Sequence, residues 1–500
     1  MPRYVFTVLI FVLSIACTNQ DKSDILVKIG DREISISEFT SRMELTPRPF
    51  YCRGSSEGDK IIALNALIAE KLFAIEEGRQ SDLYKDSLFI AYIRGRKEQY
   101  MREELFRRMA CRPSELDSSE IAAIMRLSCN VYEVEFYKLN DDQAEKIKRD
   151  FQKRPQEKSA IFNKIDLTDK VPLHTVEYKD PEYPALHHAL YSRAWETGDV
   201  IGPVRLRETK HMVLRIKRVL FKPIVSETEY RQRRSQVIER MVEKESNVRW
   251  NRFLSRLMHQ KSIRFNPQVT FKVAKIYAQQ FMNQTDNTLS QPPEQKDFIN
   301  FLSGKTSIMD SPMFELDGKT WKVKDFRRLV LSHPLVFRKP DMAPEEYLHQ
   351  FKLAVIDLMK DYYVTREAYA QKIDQSDFIV RQTQMWEDAF LARRHRQRYI
   401  DQLKANKKFD PERMKSRYTY IDAYVDSLQS KYSSVIEINY AALKDIRLSN
   451  TDFVSLQQFV PYSKIVPEFP PLGIDNKLDF GKSMKIAGLL NPISKKTNNQ

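Results

Sequence analysis

The stretch Ile29-Gly30-Asp31-Arg32-Glu33-Ile34-Ser35-Ile36-Ser37-Glu38-Phe39 alternates apolar and polar residues around a Gly30-Asp31 turn. That period predicts a short hairpin, which gives way to a helix start at Ser37. The same grammar returns in Leu316-Asp317-Gly318-Lys319-Thr320-Trp321-Lys322-Val323-Lys324-Asp325-Phe326 at an offset of 287 residues, pairing Ile34 with Trp321, Ile36 with Val323, Glu38 with Asp325 and Phe39 with Phe326. An internal repeat of this kind predicts two related modules. Each copy runs on into an amphipathic helix, with Ile61, Leu64, Ile68, Leu72 and Ile75 in the first and Leu348, Phe351, Val355, Leu358 and Tyr362 in the second, opened by Pro344. Helical spacing assigns both stripes to the core.

The copies also close alike. Ile263-Arg264-Phe265-Asn266 matches Ile436-Glu437-Ile438-Asn439, but at an offset of only 173, so the first copy holds an extra block of domain size. The block lies between a helix ending near Leu127 and one beginning at Ser226, where Ser226 and Glu229 form a capping box. Inside it the pattern switches to strands over 131–139, 176–179, 202–207 and 212–220, with helices over 141–151 and 185–195. A β-α-β-α-β-β domain is the expectation. Gln279 to Gln295, rich in Gln, Asn, Thr and Pro, reads as a linker. The segment after Ser449 is broken by five prolines and reads as an extended or disordered tail.

The end of the block, Gly198-Asp199-Val200-Ile201-Gly202-Pro203-Val204 followed by Lys210-His211-Met212-Val213-Leu214-Arg215-Ile216, resembles the close of a parvulin-type peptidyl-prolyl isomerase. Together with the hairpin, the helix from Leu64 to Glu76 and the long closing helix, the chain is similar to the SurA and PrsA type of extracytoplasmic chaperone. The resemblance implies a mainly α chain with an inserted α+β parvulin-like domain and two SurA-like helical chaperone modules in tandem. Its boundaries are a signal peptide over 1–16, a first module over 17–128 plus 223–270, the insert over 129–222, a linker over 271–311, a second module over 312–447 and the tail over 448–500.

Parvulins grip a proline ring in an apolar pocket beside a polar cluster that includes two histidines. The resemblance places His211 at one of them, the candidate catalytic residue, whereas Tyr132 to Phe136 carries no histidine for the other. The family's glycine-rich stretch is replaced near Val171 to Lys179 by a glycine-free run. Leu186 or His188, with Met212, falls at the proline pocket. The expectation is a degenerate isomerase site, with His211 joining strands rather than catalysing. Ser303-Gly304-Lys305-Thr306 ends like a P-loop, but Ile299 stands where its first glycine must be. His187 and His188 cannot face one metal from adjacent helix positions, and no metal or other cofactor is expected.

Composition sharpens this only where it meets the N-terminus. The chain has 500 residues, just 12 of them glycine, and 82 Lys and Arg against 67 Asp and Glu. Scarce glycine argues against Rossmann sites and propellers, and the net charge of +15 favours anionic partners. The apolar run from Tyr4 to Ile15 behind Arg3 is too short to span a bilayer and reads as an export signal. Leu13-Ser14-Ile15-Ala16-Cys17 resembles a bacterial lipobox, which would make Cys17 a lipid attachment site; the alternative is an ordinary cut near Ala16. Export removes nucleic acid as a partner and leaves anionic lipid headgroups, lipopolysaccharide or acidic unfolded clients. The segment from Leu391 to Arg417 carries ten Lys or Arg against three acids and reads as a solvated helical face. Cys52, Cys111 and Cys129 remain, for which one disulfide and one buried thiol are expected, the pair unassigned.

The reading is a periplasmic, lipid-anchored chaperone, held at the outer membrane, that binds unfolded exported or outer-membrane proteins. An active prolyl isomerase foldase is the alternative, and a scaffold subunit of an envelope secretion or assembly machine is the second.

Overall fold

The structure is a computed structural model that describes residues 24–78, 81–112, 115–165, 171–180, 183–207, 210–283, 308–339, 342–406, 414–448 and 461–484. The expected signal peptide, Cys17, much of the expected linker and parts of the tail lie outside the described residues. Among those described, 61% are helical and 15% are in strands, as expected of a mainly α chain. Phe106–Phe253 forms one compact unit, and the described residues on either side of it form another.

In the larger unit the repeat is visible element by element. The first copy gives β1 (Ile25–Ile29), β2 (Arg32–Ser35), α1 (Ile36–Leu45) and α2 (Glu57–Glu77). The hairpin and first helix recur as β8 (Pro312–Leu316), β9 (Lys319–Lys322) and α10 (Val323–Ser332), each displaced by 287 residues, before α11 (Tyr347–Ala370). Ser35 caps α1 by accepting from the Glu38 amide at 2.9 Å. Asp317 and Gly318, both at positive φ, make the tight turn of the second hairpin.

The closing strands are exchanged between the copies. β7 (Ile263–Phe265), at the end of the first copy, pairs with β8, whereas β10 (Ile436–Ile438), at the end of the second, pairs with β1. The resulting sheets run β11-β10-β1-β2 and β7-β8-β9, with β11 (Lys482–Ser483) from the tail. The two registers superimpose: Ile29 faces Ile436 as Leu316 faces Ile263. Charge supplies a reason for the choice. Lys28 stands opposite Glu437 and Glu315 opposite Arg264, an ion pair at 3.5 Å. In the unexchanged arrangement expected of tandem modules, Lys28 would face Arg264 and Glu315 would face Glu437. Like charges directly opposite one another destabilise a ladder.

Each sheet therefore anchors a core drawn from both copies. Leu64, Leu67, Ile68 and Leu72 of α2 pack with Ile436, Ile438 and the helices α12 (Asp377–Ala405) and α13 (Met414–Tyr432). α3 (Ser87–Ala110) follows α2. Phe351, Val355 and Leu358 of α11 pack with Val273 and Ala274 of α9 (Pro267–Asn283). This corrects the expected linker: its first residues are helix, because Val273, Ala274 and Ile276 are apolar at helical spacing and buried. The tail is extended over 461–484 but firmly held, with Phe469 and Leu472 buried. Asn65 Nδ2 donates to the carbonyls of Asp475 at 2.9 Å and Lys477 at 2.7 Å.

A charge network lies inside the first core. Lys71 Nζ stands 3.0 Å from Glu38 Oε1 and 3.1 Å from Asp388 Oδ2, whose Oδ1 accepts from Arg32 at 2.5 Å. Arg42 forks onto both Glu70 oxygens at 2.9 Å and donates to the Glu468 carbonyl at 2.6 Å. Three basic side chains meet three acids, burial raising Glu38 and Asp388 against the pull of Lys71, and together they tie the first hairpin and helices to α12 and the tail.

The smaller unit holds the expected β-α-β-α-β-β order. Its elements are β3 (Asn130–Leu139), α5 (Asp141–Lys153), β4 (Leu173–Val176), α7 (Pro184–Tyr191), β5 (Val200–Arg207) and β6 (Lys210–Phe221), with a short α6 (Lys158–Phe162) added. The sheet runs β4-β3-β6-β5 and is antiparallel throughout. Two flanking helices, α4 (Ser118–Leu127) and α8 (Glu227–Leu257), were expected in the first helical module. Met125 of α4 and Val237 and Met241 of α8 instead share a core with Tyr132, Val134 and Leu214 of the sheet. Cys52, Cys111 and Cys129 are free thiols, so the expected disulfide is not formed, and burial pushes the Cys52 thiol up to about 11.

Candidate functional site

Side chains alternate across a strand, so β6 sorts the expected site residues onto two faces. Met212, Leu214 and Ile216 point to the core shared with α4, α7 and α8. Val213 points to the opposite core, against Leu139, Phe151 and Phe162 from β3, α5 and α6. His211 alternates with Met212 and is therefore on the α5 side, where its Nε2 meets Asp141 Oδ1 at 2.8 Å. The ladder gives it Leu139 on one side and Arg205 on the other. No second histidine joins it from β3.

The polar strip on this face continues with Arg215, whose Nε donates to Glu135 Oε2 at 2.7 Å and whose guanidinium lies 4.7 Å from the Phe162 ring centre. Burial opposes the charge on Glu135, but the hydrogen bonds and charges of Arg215 and Lys217 outweigh it and hold the carboxyl below its ordinary range. Arg215 and Glu135 form an ion pair, and Asp141 holds the His211 ring in one orientation.

Leu186 and Met212 are brought into one cluster, but as core: both are buried. His188 lies on the exposed side of α7, at the rim of a different feature. That feature is a cleft of about 240 Å³ between α4, α7 and α8, walled by Tyr178, His187, Tyr191, Ile124 and Met241 and rimmed by Glu120, His188, Arg240, Glu243 and Lys244. Tyr178, His187 and Tyr191 form a mutual aromatic cluster, with ring centres 4.5 Å, 4.7 Å and 4.8 Å apart, and Tyr132 joins at 5.5 Å from Tyr191. Spacing explains how α7 contributes: residues 187 and 191 are one helical turn apart on one face.

Burial, followed by the charge of Arg240, drops the His187 pKa to about 3, against the opposing hydrogen bond to Tyr178. The imidazole is therefore neutral. Its Nε2 lies 2.9 Å from the Tyr178 carbonyl, an acceptor, so Nε2 carries the proton. Burial and Lys244 also lower His188, and burial raises Glu243. Tyr178, His187 and Tyr191 are only 2%, 4% and 2% exposed, so these rings back the cleft as core and its accessible part is the mixed-charge rim. Among the described residues no group of three or more His, Cys, Asp or Glu could hold a metal ion, and no helix is long and apolar enough to cross a membrane.

The expected residues thus separate: His211 on one face of the sheet, Leu186 and Met212 in the core of the other, His188 on a helix surface. Tyr178, His187 and Tyr191 were missed as a group, although the spacing of His187 and Tyr191 was open to reading. The chain matches no family model, and neither a curated protein nor a solved structure matches it.

Proposed function

We propose that the chain is a cell-envelope chaperone, anchored through a lipid on Cys17 to the outer membrane, that holds unfolded segments of exported proteins without isomerising their prolyl bonds. The observation that carries this reading is the division within the smaller unit. On one face of the sheet Arg215 pairs with Glu135 and a lone histidine, His211, meets Asp141, while the opposite side presents a cleft rimmed by charges of both signs over buried rings. A rim of Glu120, His188, Arg240 and Lys244 meets polar chain segments with little selectivity, which is what a holder of diverse segments requires. The SurA-like pattern of hairpin, helix and closing strand, present twice, supports the same reading. So does the net charge of +15, which draws in acidic chains.

The test is aggregation of an unfolded outer-membrane protein in the presence of the purified chain, together with capture of bound proteins from the periplasm. The reading expects delayed aggregation and many captured clients. No delay, with one fixed partner captured, would replace it with the scaffold alternative.

A further inference from the structure

A second cleft, of about 280 Å³, lies in the larger unit between α3, β9, α10 and α11. Two backbones meet closely at its edge: a Cβ on Gly95 of α3 would fall 1.9 Å from the Ser332 carbonyl oxygen of α10, so only glycine allows the approach. Trp321 and Tyr362 stand edge to face, 5.1 Å between centres, and Tyr369 adds a ring that is 39% exposed. The acids of the cleft are engaged. Glu98 accepts from His333 and from the Tyr369 hydroxyl at 3.1 Å, and Asp325 caps α10 through the Lys322 amide at 3.2 Å.

The cations are not. Arg94, Lys319, Arg328 and Arg366 line the cleft and are exposed, and none forms an ion pair among the described residues. Two lie beside rings instead, Lys319 Nζ at 4.4 Å from the Trp321 centre and Arg366 Cζ at 5.8 Å from that of Tyr362. Four cations against the two carboxylates of Glu98 and Asp325 leave a cationic excess around the Tyr362 and Tyr369 rings, complementary to a ligand that carries carboxylates next to an aromatic group.

We infer that this cleft is a second peptide site, selective for extended acidic segments bearing aromatic side chains. A ring of the segment packs on Tyr362 and Tyr369, and its flanking carboxylates meet Arg94, Arg328 and Arg366. The inference rests on the chaperone reading only in calling that segment part of a client; the binding chemistry stands on the cleft.

The experiment measures anisotropy of a labelled short peptide of alternating aromatic and acidic residues with the full chain, against its lysine-substituted and leucine-substituted counterparts. Binding should favour the acidic aromatic peptide and weaken as salt rises. Arg328→Glu combined with Arg366→Glu should weaken it by roughly tenfold or more, and Tyr362→Ala should remove the preference for aromatic over leucine peptides. Both arginines are exposed, and an unchanged circular dichroism melt would show the fold intact. Equal binding of the acidic and basic peptides, or affinity unchanged in the double variant, overturns the site. Affinity for anionic vesicles that is lost in the same variant, without peptide binding, also overturns it and makes the cleft a membrane contact. Aggregation delayed equally by wild type and double variant would sink this inference and leave the chaperone reading standing; selective peptide binding with no delay would do the reverse.

Discussion

His187 makes the smaller unit sensitive to acid in a way that can be worked out. Its imidazole has an ordinary pKa of 6.5 when exposed and about 3 in place. Below pH 6.5 the opened state takes up a proton that the closed state refuses, so the contribution to stability is fully present above that pH and is lost as pH falls toward 3. The slope approaches ~1.4 kcal/mol per pH unit below 6.5, which gives about 2 kcal/mol between pH 8 and 5, or roughly a thirtyfold fall in protection. His187→Gln keeps a side-chain donor for the Tyr178 carbonyl and removes the titration. Amide hydrogen exchange across α7 in the full chain, corrected for intrinsic rates, reads the opening free energy of each protein. His188, Glu239, Glu243, Arg233 and Arg240 surround the site and are present in both proteins, so the difference between them isolates His187. The expected result is a difference that shrinks by about 2 kcal/mol on acidification. Parallel pH dependence in the two proteins would refute the neutral buried imidazole.

Two further substitutions probe the larger unit. Asp388→Asn leaves Arg32 and Lys71 buried with one carboxylate fewer and should cost about 3 to 5 kcal/mol, seen as lost hydrogen-exchange protection in α2 and the first hairpin; unchanged protection would remove the network from the core. Reversing Arg264→Glu and Glu437→Arg together should destabilise both ladders by about 0.2 to 1 kcal/mol per pair, and adding Lys28→Glu with Glu315→Lys should restore the loss in a denaturant titration. A quadruple variant no better than the double would discard charge as the reason for strand exchange.

The repeat was legible to the residue because both copies spell it in local chemistry: alternation, a turn, and a helix start. The mixed unit was legible for the same reason, through the Gly198 to Val204 turn and the strand after it. The exchange of closing strands was not, because Ile263-Arg264-Phe265 and Ile436-Glu437-Ile438 share one apolar pattern that fits either hairpin edge. Only the opposite signs of Arg264 and Glu437 distinguish them, a signal present in the sequence but weak at exposed positions. The allegiance of α4 and α8 was hidden because an amphipathic stripe says that a face is buried and not what buries it. α9 was obscured by the polar composition that begins at Gln279, inside the helix. His211 was placed correctly on its strand, but its role depends on which face it takes, and the alternation that sends Met212 into the core sends His211 to Asp141. The aromatic cleft needed Tyr178 and the cationic cleft needed Arg94 beside Arg328, proximities that only the folded chain creates.

Holding unfolded segments without isomerising them is the function proposed for the chain. The direct measurement takes one purified sample, wild type beside His211→Ala, and follows both the aggregation of an unfolded outer-membrane protein and the isomerisation of a prolyl peptide. Delayed aggregation is expected of both proteins, with an isomerisation rate close to the uncatalysed one for both and a stability cost for His211→Ala of about 0 to 1 kcal/mol through the lost, solvent-exposed bond to Asp141. Rapid isomerisation by the wild type, abolished in His211→Ala while the melting profile stays unchanged, would contradict it and make the chain a prolyl isomerase.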